Sequence, residues 1–453
     1  MDTTLVAGIP GLIALIVCIR YGYERAFFAV YLPTLLLLPD SYHWMITGHL
    51  SFDEIAIIPV AAFFIARSRS EWQWSLTDLL ILSYFGLMAV SEYVNKDFYE
   101  ARNAALNAFC NMVLPYIVAK GALRREDLYN DFAKRVVECL TIVAILGVYE
   151  FRMGRNPYEA TLSRFFPDQS AAIWIARYGY SRIAGPYGHA ITAGVMIALG
   201  YRLARWLEWS GEWRGRFPFI PLSKPRVVQF LLVGGSLMTL SRGPWLGAIV
   251  AAAVVALGRA RNRRSAIVVS ACALLLLGPP LWQLGRSYVW VERDEASTVM
   301  EESAAYRHEL IEKYIIIAQE RPGLGWGRNA FPIVDGMDSI DNEYLLVALT
   351  FGEYALAVFV AILLWIPARL LIFCARRPND DPAGLVALTS LGCFVTIAVS
   401  IATVAMLWQL IPFFFLLAGS SEGLLLGWEQ SELREVAEQP MLAFGLRLRR
   451  VMT

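Results

Sequence analysis

The chain has 453 residues, of which 57% are hydrophobic and 17% charged, and its mean hydropathy is +0.49. This composition excludes an ordinary soluble domain, and the balance of 40 Lys and Arg against 39 Asp and Glu gives no sign of a nucleic-acid partner. The six cysteines have no CxxC spacing and mostly lie in apolar runs, so no disulfide framework is expected.

Apolar stretches long enough to cross about 30 Å of hydrocarbon recur along the whole chain. They predict thirteen transmembrane helices, near residues 5–19, 26–39, 52–66, 75–94, 103–119, 136–151, 187–204, 227–240, 244–258, 265–282, 344–368, 383–405 and 408–427. The first two are short, so the predicted fold is an all-α bundle of about 12 to 14 helices. Lys and Arg gather in alternate connections, which predicts an outer amino terminus and a short cytoplasmic tail over 428–453. We predict one integral membrane domain over 1–453.

Two connections on the predicted outer, periplasmic face are too long to be simple turns: residues 152–186 and 283–343. Long ordered loops often carry function. The second contains an acidic, helix-prone run, Val291–Ile317, followed by a Pro- and Gly-rich segment, 321–328, which we interpret as a loop hinge. An outer cap with one or two short amphipathic helices is therefore expected.

Arginine is abundant in these outer connections, although outer loops usually contain few cations. The basic residues are Arg152, Arg155, Arg164, Arg177 and Arg182 in the first loop and Arg286, Arg293, Arg307, Lys313, Arg321 and Arg328 in the second. Guanidinium groups stay charged and form paired hydrogen bonds to phosphate oxygens, so the group predicts binding of a phosphorylated or pyrophosphorylated lipid head group. For any single arginine, a surface salt bridge is the simpler explanation.

Two polar turns interrupt the apolar pattern. The run Ser241-Arg-Gly-Pro-Trp245 separates two apolar stretches so closely that Arg242 must lie in a tight outer turn or at the membrane boundary. A charge there indicates function, unless it only reaches out to lipid phosphate. The run from Ser181 to His189 opens the 187–204 helix with Gly and Pro, and predicts backbone N–H groups that face an anion.

Three carboxylates, Asp335, Asp338 and Asp341, precede the 344–368 helix at a spacing of three. In a helix they would share one face, where they would act as a base or bind a divalent cation. The simpler alternative is that Asp341 caps the following helix. The four histidines have no metal-ligand spacing and no Walker A sequence is present, so we predict neither a metal nor a nucleotide cofactor.

Four stretches, taken in order, resemble the O-antigen ligase and polysaccharide polymerase superfamily, and they extend over about residues 180–352. They are Arg182-Ile-Ala-Gly-Pro-Tyr-Gly-His189, Leu240-Ser-Arg-Gly-Pro-Trp-Leu246, Tyr306-Arg-His through Glu320-Arg-Pro-Gly-Leu-Gly-Trp-Gly-Arg-Asn-Ala-Phe331, and Asp341-Asn-Glu-Tyr-Leu345 leading into Phe351-Gly352. The resemblance implies a multi-pass glycosyltransferase of the bacterial inner membrane that acts at the periplasmic face. Its donor would be a polyprenyl-diphosphate-linked oligosaccharide and its acceptor a glycan, with no metal or nucleotide.

The resemblance also implies roles for individual residues. Arg242 and Arg307 match arginines that grip the diphosphate leaving group, and Arg182 is a weaker match. Asp341 or Glu343 would orient or deprotonate the incoming hydroxyl, with inversion at the anomeric carbon.

Further contacts to the diphosphate or glycan are predicted for Arg177, Arg328, Asn342 and Tyr344. Ligases tend to have His-Asn where this chain has Asp341-Asn342, and this difference favours a polymerase that joins lipid-linked repeat units into exopolysaccharide or O-antigen. A flippase and chain-length or export proteins are the candidate protein partners.

Other classes stay open at this point. A flippase for lipid-linked oligosaccharides, or another transporter, would also explain many helices and buried charge, although the sequence predicts neither inverted repeats nor helices broken at the midplane. A scaffold role in an envelope complex would not explain the outer arginines. Convergence of Arg182, Arg242, Arg307 and Asp341 on one outward-opening cavity would favour the enzyme, whereas charges along a pore would favour transport.

Overall fold

The computed structural model describes residues 3–438 apart from 45–48, 69–71, 125, 167–168, 171–175, 219–220, 264, 270–271, 273–298 and 338. The chain is 75% helical with two short β-hairpins in its described part, which confirms an all-α polytopic membrane protein. Among the described residues, five helices are long and apolar enough to cross a bilayer: Thr4–Tyr21, Leu76–Asn95, Glu343–Ala375, Pro382–Ile401 and Leu410–Gln430.

Shorter or more polar helices complete the bundle. They are Tyr23–Ala26, Phe27–Tyr31 (a π-helical turn) and Leu32–Leu37, then Phe52–Ser68, Phe98–Ala108, Phe109–Val113 (a second π-helical turn), Leu114–Ala122, Glu126–Met153, Ala190–Trp209, Lys224–Met238 and Arg242–Arg259. Every predicted span except 265–282 coincides with helix, and most of that one lies outside the described residues. The last helix continues to Glu438, beyond the predicted start of the tail.

Small residues allow a close helix contact in the bundle. Gly419, Gly423 and Gly427 recur every fourth residue on the last helix, and a Cβ at each would collide with the backbone of the segment 116–124. This small-residue spacing allows two membrane helices to approach at backbone distance. One apolar core, from Ala14 to Trp428, then runs through the bundle.

The cap that the sequence predicts contains a helix, which spans Val299–Glu320 in the described part of the chain. Leu310, Tyr314 and Ala318, spaced four apart, are buried against the start of the Glu343–Ala375 helix. The Tyr314 hydroxyl donates to the Met337 carbonyl oxygen at 2.8 Å. The cap is therefore fixed to the membrane helix that carries the predicted catalytic carboxylates.

The carboxylate segment before that helix corrects two sequence interpretations. Residues 335 and 336 form a turn and 339–342 are irregular, so the aspartates do not share a helical face; Asp338 lies outside the described residues. The N-cap is Asn342, whose Oδ1 accepts from the Leu345 N–H at 3.1 Å. Asn342 is the residue directly before the helix, so its side chain caps the first turn. Asp341 lies one residue further away and takes no part in the cap.

The Glu343–Ala375 helix is broken at Gly352, where φ is 86° and ψ is 174°. The 321–328 loop closes the break, and the Trp326 N–H donates to the Leu349 carbonyl oxygen at 2.9 Å. This loop is therefore a docked segment and not the predicted hinge. The break also corrects the expectation of unbroken helices, and it is tolerated because the loop supplies hydrogen bonds to the freed backbone groups.

Alanine at Gly352 or Gly325 is expected to undock this loop. Both glycines have positive φ, 86° and 66°, and a Cβ at either would overlap backbone atoms of the opposite segment. The left-handed conformation alone costs about 1–3 kcal/mol for a non-glycine residue, so a fall in the thermal unfolding midpoint of the purified protein is the expected result. Gly323→Ala is the matched control, because its Cβ would meet only the Tyr354 ring at 3.9 Å. Equal midpoints for the three variants would contradict the docking.

Candidate active site

Two arginines hold the turn between the Lys224–Met238 and Arg242–Arg259 helices. Arg182 is only 7% exposed; its Nε donates to the Thr239 carbonyl oxygen at 2.9 Å and its Nη2 to Ser241 Oγ at 2.7 Å. Arg177 donates from Nη1 to the carbonyl oxygen of Leu240, which has a φ of 48°. Both arginines were predicted to contact substrate. The bonds of Arg182 instead favour a role in positioning the turn, and only Arg177 stays partly available to a ligand.

Arg242 emerges from this turn as the first residue of its helix, and its side chain is exposed. Its Nη2 donates to the Tyr178 hydroxyl at 3.0 Å. Tyr178 and Gly179 both have positive φ, 54° and 78°, which is the pairing that a two-residue hairpin turn requires. The hairpin formed by residues 176–177 and 180–181 therefore brings Arg177 and Tyr178 to Arg242.

The helix that Arg242 starts has a free amino-terminal end. Its N-cap, Ser241, makes no side-chain bond to the first turn, and Pro244 has no backbone N–H, so the N–H groups that face an anion there are those of Arg242 and Gly243. The Ala190–Trp209 helix differs, since His189 Nδ1 accepts from the Ile191 N–H at 3.2 Å and caps the end that was predicted to face an anion.

The arginines lie within electrostatic reach of one another. Burial lowers the pKa of Arg177, and the charges of Arg242 and Arg307 lower it further. Burial, and then the charge of Arg177, lowers the pKa of Arg182 to about 10. We call Arg177, Arg182, Arg242 and Arg307 the arginine cluster. Crowded positive charge of this kind is unfavourable without an anion to compensate it.

Asp341 lies beside this cluster. Burial lowers the pKa of His189, the charge of Arg182 lowers it further, and the charge of Asp341 opposes the shift. The Asp341 side chain is half-buried, and its Oδ1 accepts from Ser339 Oγ at 3.0 Å. Arg182 and Asp341 thus both act on His189, while Arg242 and Arg307 both act on Arg177. The predicted convergence of these four residues on one outward-opening cavity stays a prediction.

The side chains of Glu343 and Tyr344 point into the helix bundle. Glu343 is 6% exposed and accepts from the Met406 N–H at 2.6 Å. The Tyr344 hydroxyl donates to the Ala398 carbonyl oxygen at 3.1 Å, which ties two helices together. The contacts of Asn342 and Tyr344 are therefore structural, whereas Glu343 borders a cavity.

That cavity has a volume of about 450 Å³ and is bounded by three connections of the predicted outer face together with the adjoining helix ends. Its polar lining residues are Asp40, Ser41, His43, His49, Ser51, Glu54, Asn107, Asn111, Thr350, Arg328, Asn329 and Glu343, and its aromatic ones are Tyr84, Phe331, Phe351 and Trp408. We call it the acidic cavity. Arg328 and Glu343 line it, whereas the arginine cluster and Asp341 do not, so the predicted site residues divide between two neighbouring places.

The sequence did not predict Asp40 and Glu54 as site residues, although both line this cavity. Glu54 is 3% exposed; its Oε1 accepts from Asn111 Nδ2 at 2.6 Å and its Oε2 from the Ser51 N–H at 2.7 Å. Burial raises the pKa of Asp40, in the connection before it. The signal was present in Asp53 and Glu54, two carboxylates at the start of an apolar span, where a charge is costly and usually functional.

A family model described as O-antigen ligase (Wzy_C) matches residues 227–360. A search of curated proteins returned no match to the chain. The matched region contains Arg242, Arg307, Arg328, Asp341 and Glu343. The hairpin with Arg177, and the part of the acidic cavity formed by residues 40–111, lie outside it.

Proposed function

Since this chain belongs to the O-antigen ligase and Wzy-type polymerase superfamily, we propose that it transfers a glycan from a polyprenyl diphosphate carrier to an acceptor sugar at the periplasmic face of the bacterial inner membrane. The observation that carries the proposal is the arginine cluster at the free helix end that Arg242 begins. A diphosphate there would accept hydrogen bonds from guanidinium groups and from backbone N–H groups of the first turn.

The proposed reaction is a direct displacement at the anomeric carbon of the donor sugar. The acceptor oxygen forms a bond to that carbon as the bond to the diphosphate oxygen breaks, and the diphosphate leaves with the electron pair. Arg242 and Arg307 stabilise the charge that develops on it. Asp341 takes the proton of the attacking hydroxyl and Glu343 orients that hydroxyl. The anomeric configuration inverts, and no step passes through a metal or a nucleotide.

Polymerisation of lipid-linked repeat units is our preferred form of this reaction. Asp341 stands where ligases tend to have histidine. Asn342 caps the helix, a role that a polymerase and a ligase would both need, so it does not distinguish them. Ligation to a lipid or protein acceptor is the alternative with the same donor chemistry. A flippase is the alternative of a different class, and the helix break at Gly352 is its strongest support, because broken helices are common in transporters.

The products that accumulate in cells distinguish these alternatives. The chromosomal copy is deleted and replaced by wild type or Arg242→Ala, with membrane insertion checked for both. Single lipid-linked repeat units in the periplasm support the polymerase, and long lipid-linked polymer supports the ligase. Repeat units retained on the cytoplasmic side would overturn the proposed function in favour of transport.

A further inference from the structure

The acidic cavity has the size and lining of a sugar site. Its volume of about 450 Å³ falls within the range of about 300–1,000 Å³ typical of small-ligand sites. Amide, hydroxyl and carboxyl groups on its walls offer both donors and acceptors, as a polyhydroxylated ring requires. Trp408 adds an aromatic surface against which a sugar ring packs well.

Its ionisable lining differs from that of the arginine cluster, and it also contains two imidazoles, His43 and His49. Among its described lining residues, three carboxyl groups, Asp40, Glu54 and Glu343, stand against one guanidinium, Arg328. Burial raises the pKa of Asp40, which means that the cavity disfavours negative charge, and a phosphate or carboxylate brought into it from water would meet the same desolvation penalty. The diphosphate of the donor therefore suits the arginine cluster and not this cavity.

The two places adjoin. Trp408 forms part of the cavity wall, and a Cβ on Gly188 would lie 2.9 Å from its ring. Gly188 directly precedes His189, which feels the charges of Arg182 and Asp341. On the other side, Asp341 and Glu343 are two residues apart, one beside the arginine cluster and the other in the cavity wall.

We propose that the acidic cavity binds the terminal sugar of the acceptor and selects a neutral or amino sugar over one that carries a carboxylate or a phosphate. The assignment rests on the proposed function, since an acceptor exists only if the protein transfers a glycan. The sugar lies with its attacking hydroxyl toward Glu343, and Glu54, held by Ser51 and Asn111, accepts hydrogen bonds from other hydroxyls.

Acceptor kinetics test the selectivity. The acceptor is an oligosaccharide released from the cell's own polysaccharide, used as such or after oxidation of its terminal primary alcohol to a carboxylate. Glu54→Gln should raise the KM for the unmodified acceptor about tenfold to a hundredfold, the effect of leaving a buried sugar hydroxyl without its acceptor oxygen, with the donor KM unchanged. The oxidised acceptor should bind at least about tenfold more weakly to wild type.

Asp53→Asn is the matched control. Asp53 is adjacent in sequence, equally buried at 3% exposure and also bonded to Ser51, at 2.7 Å, but it does not line the cavity. It should leave the acceptor KM near the wild-type value. Equal effects of Glu54→Gln and Asp53→Asn, or equal use of the two acceptors, would overturn the assignment.

Thiol labelling tests ligand binding at the acidic cavity and at the arginine cluster without any catalytic turnover. In a Cys272→Ser background, Asn107→Cys places a thiol in the cavity and Tyr178→Cys places one beside Arg242. The oligosaccharide should slow labelling at position 107 only, and polyprenyl diphosphate at position 178 only. Protection of position 107 by the diphosphate would contradict the acceptor assignment. Protection at the expected positions by both probes, with no transfer detected, would instead count against the proposed function.

Discussion

Arg242→Ala is expected to reduce the rate of glycan transfer by about two to three orders of magnitude, the loss seen when one charge-stabilising donor is removed from an active site. Arg242 is exposed at the start of its helix, and within the described part of the chain its side chain bonds to a hydroxyl, that of Tyr178, so its charge is available to a diphosphate. Arg242→Lys should recover part of the rate, because lysine keeps the charge but loses the forked geometry. Arg307→Ala should behave like Arg242→Ala.

The measurement is initial rate with purified variants in liposomes, at equal protein per vesicle. Arg259→Ala is the matched control, since Arg259 ends the helix that Arg242 begins and its guanidinium lies over the Trp209 ring. Because Arg242 and Arg307 would act on one leaving group, the double variant should lose less than the product of the single effects. If Arg242→Ala and Arg259→Ala retain similar rates, the arginine cluster does not bind the leaving group.

The second large effect is expected at the carboxylates. Asp341→Asn should lower kcat by about 10²- to 10⁴-fold, the usual contribution of a general base. Glu343→Gln should act mainly on the acceptor KM, because Glu343 is held by the Met406 N–H and lines the acidic cavity.

Formate distinguishes a base from a structural residue. A small carboxylate should restore part of the transfer rate to Asp341→Ala, where it occupies the space of the missing group, and should do little for Glu343→Ala. If formate restored the rate of Glu343→Ala alone, Glu343 would be the base and Asp341 would orient the hydroxyl. No loss of rate in Asp341→Asn would remove Asp341 from the chemistry.

The helical membrane fold was predictable because apolar runs and charge alternation report directly on the bilayer. Features that depend on contacts between distant segments were not. The break at Gly352 lies inside a stretch, 344–368, that the sequence predicts as one span, and the docked 321–328 loop stabilises it. Lys120, a cation directly after the predicted 103–119 span, is fully buried and paired with Asp78 at 2.6 Å.

The candidate site was predictable only in part, because only some of its features appear as local patterns in the sequence. Arginine on the outer face and the short Arg242 turn are local anomalies, and they identified the arginine cluster. The acidic cavity is assembled from segments as distant as residues 40–54 and 406–408, so no local pattern marks it. Arg182 illustrates the limit of residue type alone: its bonds to Thr239 and Ser241 come from the fold.

Reconstituted transfer tests the central claim most directly. Purified protein in liposomes receives polyprenyl-diphosphate-linked repeat units as the sole donor and acceptor, with a chelator present. The account predicts longer lipid-linked chains and one polyprenyl diphosphate released for each bond formed. Movement of intact repeat units across the bilayer, without chain growth or release of the carrier, would contradict it.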